Sequence, residues 1–238
     1  MRSICAVDGV SAAGIREGKF GLALIRAEGT AAAAFTLNRA PAAPIILMRE
    51  RIRKGYLSAT ISNSGCANAL TGKQGIADAG EMARIAGESL GLDPETIGVA
   101  STGVISRYLD IPLIRDQCSR IAPALEHSPK AEVSAARAIM TTDLTEKHAL
   151  VEREGFVIGG ICKGSGMIAP NMGTMLGYVY TDAEIGPDDL QDALKTAVKR
   201  SFNRVVVDGD TSTNDVVFCT ATGTAGKVRT DEFTSALE

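Results

Sequence analysis

Apolar residues in the first sixty positions fall in short runs bounded by Gly, Asn and Lys, the spacing of strands. FGLALIRA at 20–27 is one such run, and a second starts at Tyr56 and closes on ISNSG. Between them, Ala31 to Leu37 and Pro44 to Met48 read as two more extended pieces separated by Pro41. From Ile76 the period becomes helical. Ile76, Met82, Ile85 and Leu90 share a face, Gly91 ends the helix and Pro94 confirms the stop. IGVAST is a buried strand. Leu109 to Leu125 and Ala131 to Met140 read as helices with a break at Ser128–Pro129. Residues 147–158 alternate as strands around Gly155. A helix opens at Pro187–Asp188–Asp189 and runs to Phe202, with Lys199 and Arg200 in its last turn as the helix dipole prefers. VVVD at 205–208 and DVVFCTA at 215–221 are strands again. This order predicts an α/β or α+β layered domain. No internal repeat and no linker divides it.

Composition narrows the function. The 238 residues carry a net charge of −3, so no broad positive field is available to attract nucleic acid. The longest apolar stretches, Ala31 to Phe35 and Ala42 to Met48, fall far short of the roughly 20 residues of a membrane helix. Only a few apolar residues lie between Arg2 and Asp8, too few for a signal peptide. The expectation is a soluble cytoplasmic protein. With no Trp, only 6 Phe and 4 Tyr, but 25 Gly, the chain must pack by close backbone approach. Its five cysteines are scattered without a CxxC pair, which predicts buried free thiols rather than disulfides or a zinc site. His127 and His148 stand in polar surroundings and read as surface residues.

Chemistry concentrates in four glycine- and hydroxyl-rich turns: NSGCANALTG at 63–72, ASTGVIS at 100–106, KGSGMIAPNMGTM at 163–175 and VDGDTSTND at 207–215. None has the spacing of a dinucleotide loop, a P-loop, a GxSxG elbow or an HExxH helix. Asn63, Asn68 and the residues from Asp208 to Asn214 are suited to capping such turns. In the third turn, Met172–Gly173–Thr174 meets the apolar run TMLGYVY. A threonine hydroxyl needs an adjacent base to act as a nucleophile. The α-amino group serves if the chain is first cut before Thr174, because its pKa is about 7.7–8.0. Gly173 tolerates the strained backbone that such a cut requires. On the residues alone, an ordinary strand-edge threonine fits better.

Seven separated segments change that balance: GVSAAGIREGKFGLALI, AFTLNRAPAAPIIL, ISNSGCANALTGKQG, VASTGVIS, AIMTTD, GGICKGSGMIAPNMGTML and FNRVVVDGDTSTND. Together, in this order, they resemble the ornithine acetyltransferase (glutamate N-acetyltransferase) family of arginine biosynthesis. The resemblance implies an αββα sandwich of the self-cleaving amino-terminal-nucleophile kind. It implies cleavage between Gly173 and Thr174, with a first piece of 173 residues leaving 65 of the 238 to the second. It also implies ping-pong acetyl transfer from N2-acetylornithine to glutamate through an acetyl ester on Thr174, without metal or bound cofactor. Thr102 and Gly103 match the family's oxyanion pair, a hydroxyl and a backbone N–H. Lys163 matches its substrate lysine, suited to an α-carboxylate. Either Thr141 or Thr142 matches a substrate-binding threonine. Pairs of cleaved chains are expected to assemble further, and acetyl-CoA stays open as a second donor.

The sequence departs from the family at Cys66, where Asn is usual, and at Gly173, where Ala is usual. It also stops before the family's C-terminal substrate contacts. Two other readings therefore stand beside the first: a related self-cleaving aminopeptidase, and a truncated inactive chain that associates with itself or a longer partner.

Overall fold

A computed structural model describes residues 3–167 and 175–238. Strand β1 (Ser11–Glu17) turns through Gly18 into β2 (Phe20–Phe35), a single strand of 16 residues. The two extended pieces expected at 20–27 and 31–37 are thus one strand. Its register shifts between Arg26 and Gly29, a bulge rather than a turn. A Cβ on Gly29 would fall 1.9 Å from the Ala221 carbonyl oxygen, so the strand can cross to its next neighbour only at a glycine.

The segment expected to extend from Pro44 to Met48 is instead helical, α1 (Ala43–Arg51). Pro44 sits in the first turn, where its missing N–H costs nothing, and Arg49 and Arg51 lie in the last. Ile45 and Met48 point inward while Ile46 is 44% exposed, a helical pattern hidden inside an unbroken apolar run. Strand β3 (Tyr56–Cys66) follows. Helix α2 (Gly72–Leu90) buries Met82 and Ile85 as the periodicity requires, leaves Ile76 exposed and Leu90 half-buried at its two ends, and closes on Gly91 in the left-handed region. After β4 (Ile97–Val104) come α3 (Ile111–Ile121), capped by the Asp110 carboxylate, and α4 (Pro129–Ala138), capped by the Ser128 hydroxyl. The hairpin β5 (Lys147–Arg153) and β6 (Phe156–Lys163) turns at Gly155. Then β7 (Leu176–Glu184), α5 (Pro187–Arg200), β8 (Val216–Lys227) and α6 (Thr230–Leu237) complete the chain. The expected strand at 205–208 does not form. Val205, Val206 and Val207 are about half exposed and pair with no strand among the described residues, and a β-propensity run without a partner strand stays irregular.

Strand order is β4-β3-β2-β8-β7-β6-β5, with β1 on the free side of the first half of β2. The β3–β4 and β7–β8 pairs are parallel and the others antiparallel. The sheet folds over along β2 into two leaves. Tyr178 and Tyr180 of β7 meet the hydroxyls of Ser62 and Thr60 of β3 at 2.5 and 3.1 Å, although those strands are not sheet neighbours. Alternation fixes the layers. Ala31, Ala33 and Phe218 face the core between the leaves, whereas Ala32, Val217 and Cys219 face Leu190 and Leu194 of α5. Helices α1 and α2 pack outside β4 and α5 and α6 outside the second leaf, so the layers run αββα.

Close approach replaces ring packing, as the composition suggested. A Cβ on Gly14 would lie 2.3 Å from the Ser134 carbonyl oxygen of α4, and one on Gly21 2.2 Å from that of Ala138. Cys5, Cys66, Cys118 and Cys219 are buried, Cys162 is half-buried, and all five are free. His127 is exposed, but His148 is not the surface residue expected: it is half-buried, with Nδ1 2.8 Å from the Ser3 hydroxyl. Among the described residues no helix is long and apolar enough to cross a membrane. Gly14→Ala should push α4 off β1 and destabilise the fold by about 1–3 kcal/mol, read as a lower urea midpoint. An unchanged midpoint would show that this contact does not matter.

Candidate active site

Strand register brings three chain segments to one end of the second leaf. Lys163, the last residue of β6, pairs with Leu176 at the start of β7, and Leu176 pairs with Val216 at the start of β8. On the first leaf, Ser64 and Gly65 of β3 pair with Thr102 and Gly103 of β4. Asn214 joins the two ends. Its Nδ2 donates to the Ala67 carbonyl at 2.6 Å and to the Ser101 carbonyl at 2.9 Å. Thr102 and Gly103 lie in the last residues of β4 rather than in the expected turn, and begin one residue from an amide that itself precedes β8.

This end of β4 is tightly specified. Thr102 is buried, and Gly103 has φ +134 with a would-be Cβ only 2.3 Å from the Gly65 carbonyl carbon. No other residue fits there. The Cys66 carbonyl is held by Asn63 Nδ2 at 2.9 Å, so the departure at 66 leaves that bond in place. The thiol itself donates to the Arg107 and Tyr108 carbonyls at 3.3 and 3.5 Å, and burial pushes its pKa up. Behind this strand end, Cys66, Asn63 and Arg107 help to line a pocket of about 130 Å³.

Lys163 is 1% exposed, and its ammonium has no hydrogen-bond partner among the described residues. Burial pushes it down to about 8, against the pull of Asp143 and Asp215. Asp215 is fully buried. Its Oδ1 accepts the Met175 N–H at 2.8 Å, while Oδ2 has no partner among the described residues. Burial raises this carboxyl to about 7, opposed by the Met175 N–H, the Ser212 hydroxyl and the Lys163 charge. Burial would raise Asp143 too. There, bonds from Lys147 Nζ at 2.5 Å, the Gly164 N–H at 2.7 Å and the Thr141 N–H at 3.3 Å outweigh it and hold the carboxyl low.

Those bonds lace the Thr141–Thr142 loop to the turn after Lys163, and the Thr142 hydroxyl adds a contact of 2.6 Å to the Ser165 hydroxyl. Thr141 is half-buried and Thr142 exposed. Gly173 and Thr174 lie outside the described residues. The structure thus ties Thr141 and Thr142 to Gly164 and Ser165, the residues that follow Lys163, and Asn214 reaches Ser101, the residue before Thr102 and Gly103. Asp143 and Asp215 escaped the sequence reading. The only signals were Asp143 directly following the two threonines and Asp215 closing the last turn.

Known proteins share this architecture. An L-aminopeptidase D-Ala-esterase/amidase from Ochrobactrum anthropi, described as a variant of the Ntn hydrolase fold, superposes over 93% of this chain and 74% of its own at a TM-score of 0.53. At 14% identity it shares the fold alone. A solved ornithine acetyltransferase from Mycobacterium tuberculosis, complexed with ornithine, is 30% identical over 71% of this chain and 95% of its own, with a TM-score of 0.68. A glutamate N-acetyltransferase from Methanosarcina mazei is 56% identical over 225 residues, 94% of this chain and 57% of that protein. The chain therefore spans little more than half the length of this curated relative. A family model described as the ArgJ family matches residues 7–238, which include every turn of the site, and the chain belongs to that family.

Proposed function

We propose that this chain carries the nucleophilic centre of an acetyltransferase that moves acetyl from N2-acetylornithine to glutamate, after cleavage between Gly173 and Thr174. The observation that carries the reading is the pinning of Met175. The residue bonded to Thr174 is tied to Asp215, whose neighbour Asn214 holds the Ser101 carbonyl, one residue before Thr102. Two consecutive side chains thus hold the residue after Thr174 and the residue before Thr102, which supports a shared site for the nucleophile and the oxyanion pair.

The lengths support two-piece processing. The match to the Mycobacterium tuberculosis chain covers 71% of 238 residues, about 169, and makes up 95% of a chain that is therefore about 178 long. The Methanosarcina mazei protein, whose 225 aligned residues are 57% of it, runs to about 395. A chain of about 178 is less than half that size and close to the 173 residues that precede Thr174 here.

In this reading the Thr174 α-amino group takes the hydroxyl proton, and Oγ attacks the acetyl carbonyl carbon. Thr102 Oγ–H and Gly103 N–H hold the oxyanion. The C–N bond to ornithine breaks, and the proton leaves with the ornithine amine. The glutamate α-amine then attacks the acetyl ester, its proton returns to Oγ, and N-acetylglutamate departs. Oxyanion donors of this kind are worth about 10²–10³ in rate. Lys163 holds the substrate α-carboxylate as a point charge, with Thr141 or Thr142 beside it. Cleaved pairs assemble further, no metal or bound cofactor takes part, and acetyl-CoA is a second donor to be tried alongside acetylornithine.

Denaturing intact mass tests the reading. Two species, one ending at Gly173 and one beginning at Thr174, are expected from the wild type, and a single whole species from Thr174→Ala. A wild type that stays whole, or a variant that is cut normally, overturns it. Lys163 supplies a second test. Its ammonium is charged below about pH 8 and neutral above, so acetylornithine binding should weaken as pH rises through that value. Lys163→Met should bind about 10–100-fold more weakly at pH 7, the worth of one charge-assisted bond. Calorimetric titration of both proteins reads this directly, and a pH-independent affinity would remove Lys163 from the site.

A further inference from the structure

Both described flanks of 168–174 end on aspartates of a single loop. The Met167 N–H donates to Asp208 Oδ2, and the Met175 N–H donates to Asp215 Oδ1 at 2.8 Å. Met167 has φ +56, a conformation that costs a non-glycine residue about 1–3 kcal/mol and persists only when its surroundings impose it. The loop carrying the two carboxylates is itself anchored. The Thr36 hydroxyl donates to the Ser212 carbonyl at 2.7 Å, and the Thr36 N–H to the Asp215 carbonyl at 2.9 Å. Asn214 anchors it to the first leaf.

We propose that Asp215 is a positioning residue for the reaction of Thr174, acting through the Met175 N–H, and that Asp208 is its counterpart at the upstream flank. This rests on the reading of Thr174 as the cleavage point and nucleophile. Hydroxyl attack on the preceding carbonyl needs the reacting atoms about 3–3.5 Å apart, and a misplacement of about 1 Å can cost 10²-fold. A carboxylate that clamps the next N–H limits the freedom of the peptide bonded to it. The clamp needs an acceptor at Oδ1 and not a charge, which separates it from a general electrostatic role.

The experiment refolds the 238-residue chain from denaturant and follows the cut at 173/174 by intact mass, with a melting curve for each variant. Asp215→Ala should cut about 10–100-fold more slowly than wild type. Asp215→Asn, whose amide oxygen still accepts the Met175 N–H, should stay within about threefold. Rescue by Asn is the readout that a merely structural carboxylate would not supply. Asp208 is exposed, so Asp208→Ala should fold normally and still slow the cut several-fold. That variant decides the matter if Asp215→Ala fails to fold. Folded Ala variants that cut at the wild-type rate, or an Asn variant as slow as Ala, overturn the inference while leaving Thr174 intact as nucleophile. A wild type that never cuts overturns the reading beneath it.

Discussion

The fold depends on what happens at the start of β8, where two leaves of sheet must meet without leaving backbone groups unpaired. Asn214 is buried with an amide that answers two carbonyls from the first leaf, those of Ala67 and Ser101. A buried polar group without partners costs about 1–3 kcal/mol, so each of these bonds avoids that penalty at both ends. Asp215, next in sequence, turns the other way and takes the Met175 N–H. Two adjacent side chains thereby connect β3, β4, β7 and β8. The geometry of the site follows from this junction more than from any helix.

The leaves can approach because the strand that joins them is small. Ala31 to Ala34 run along the last part of β2, alternating between the core between the leaves and the core under α5. Such residues hold the strand to its neighbours without spreading the layers. The few large rings are spent on the opposite wall, where Tyr178 and Tyr180 cross to the hydroxyls of β3. Burial with a hydrogen bond suits Tyr, which keeps one polar end. A chain without Trp and with only 10 aromatics can build a two-core sandwich in this way.

Much of this was legible from the residues, and the misses have physical causes. Helix α2 and its stop at Gly91 could be read because its period is clean and its end is a glycine. Helix α1 could not, because Ile45 to Met48 are all apolar and only the fold shows which of them point outward. Val205 to Val207 misled for the opposite reason: propensity was present but no partner strand was. At the site, the glycine at 103 and the lysine at 163 stood out within motifs. Asp215 did not, since its importance comes from a residue 40 positions away. Pairings of that range have no local signature.

Lys163 and Asp215 are opposite charges that burial pushes toward neutrality, one down to about 8 and the other up to about 7. Neither the ammonium nor Asp215 Oδ2 has a hydrogen-bond partner among the described residues, although the two groups feel each other's charge. A pair selected only for stability would close into a bonded contact or be replaced by apolar side chains, since a buried ion pair is weak support for a fold. In the proposed reading, the pair stands open to a polar ligand. A ligand carboxylate at Lys163 would supply the charge that the ammonium lacks, and would raise its affinity for a proton. In the proposed reading, binding and protonation are linked, each favouring the other, and the ligand offsets the cost of burying the lysine.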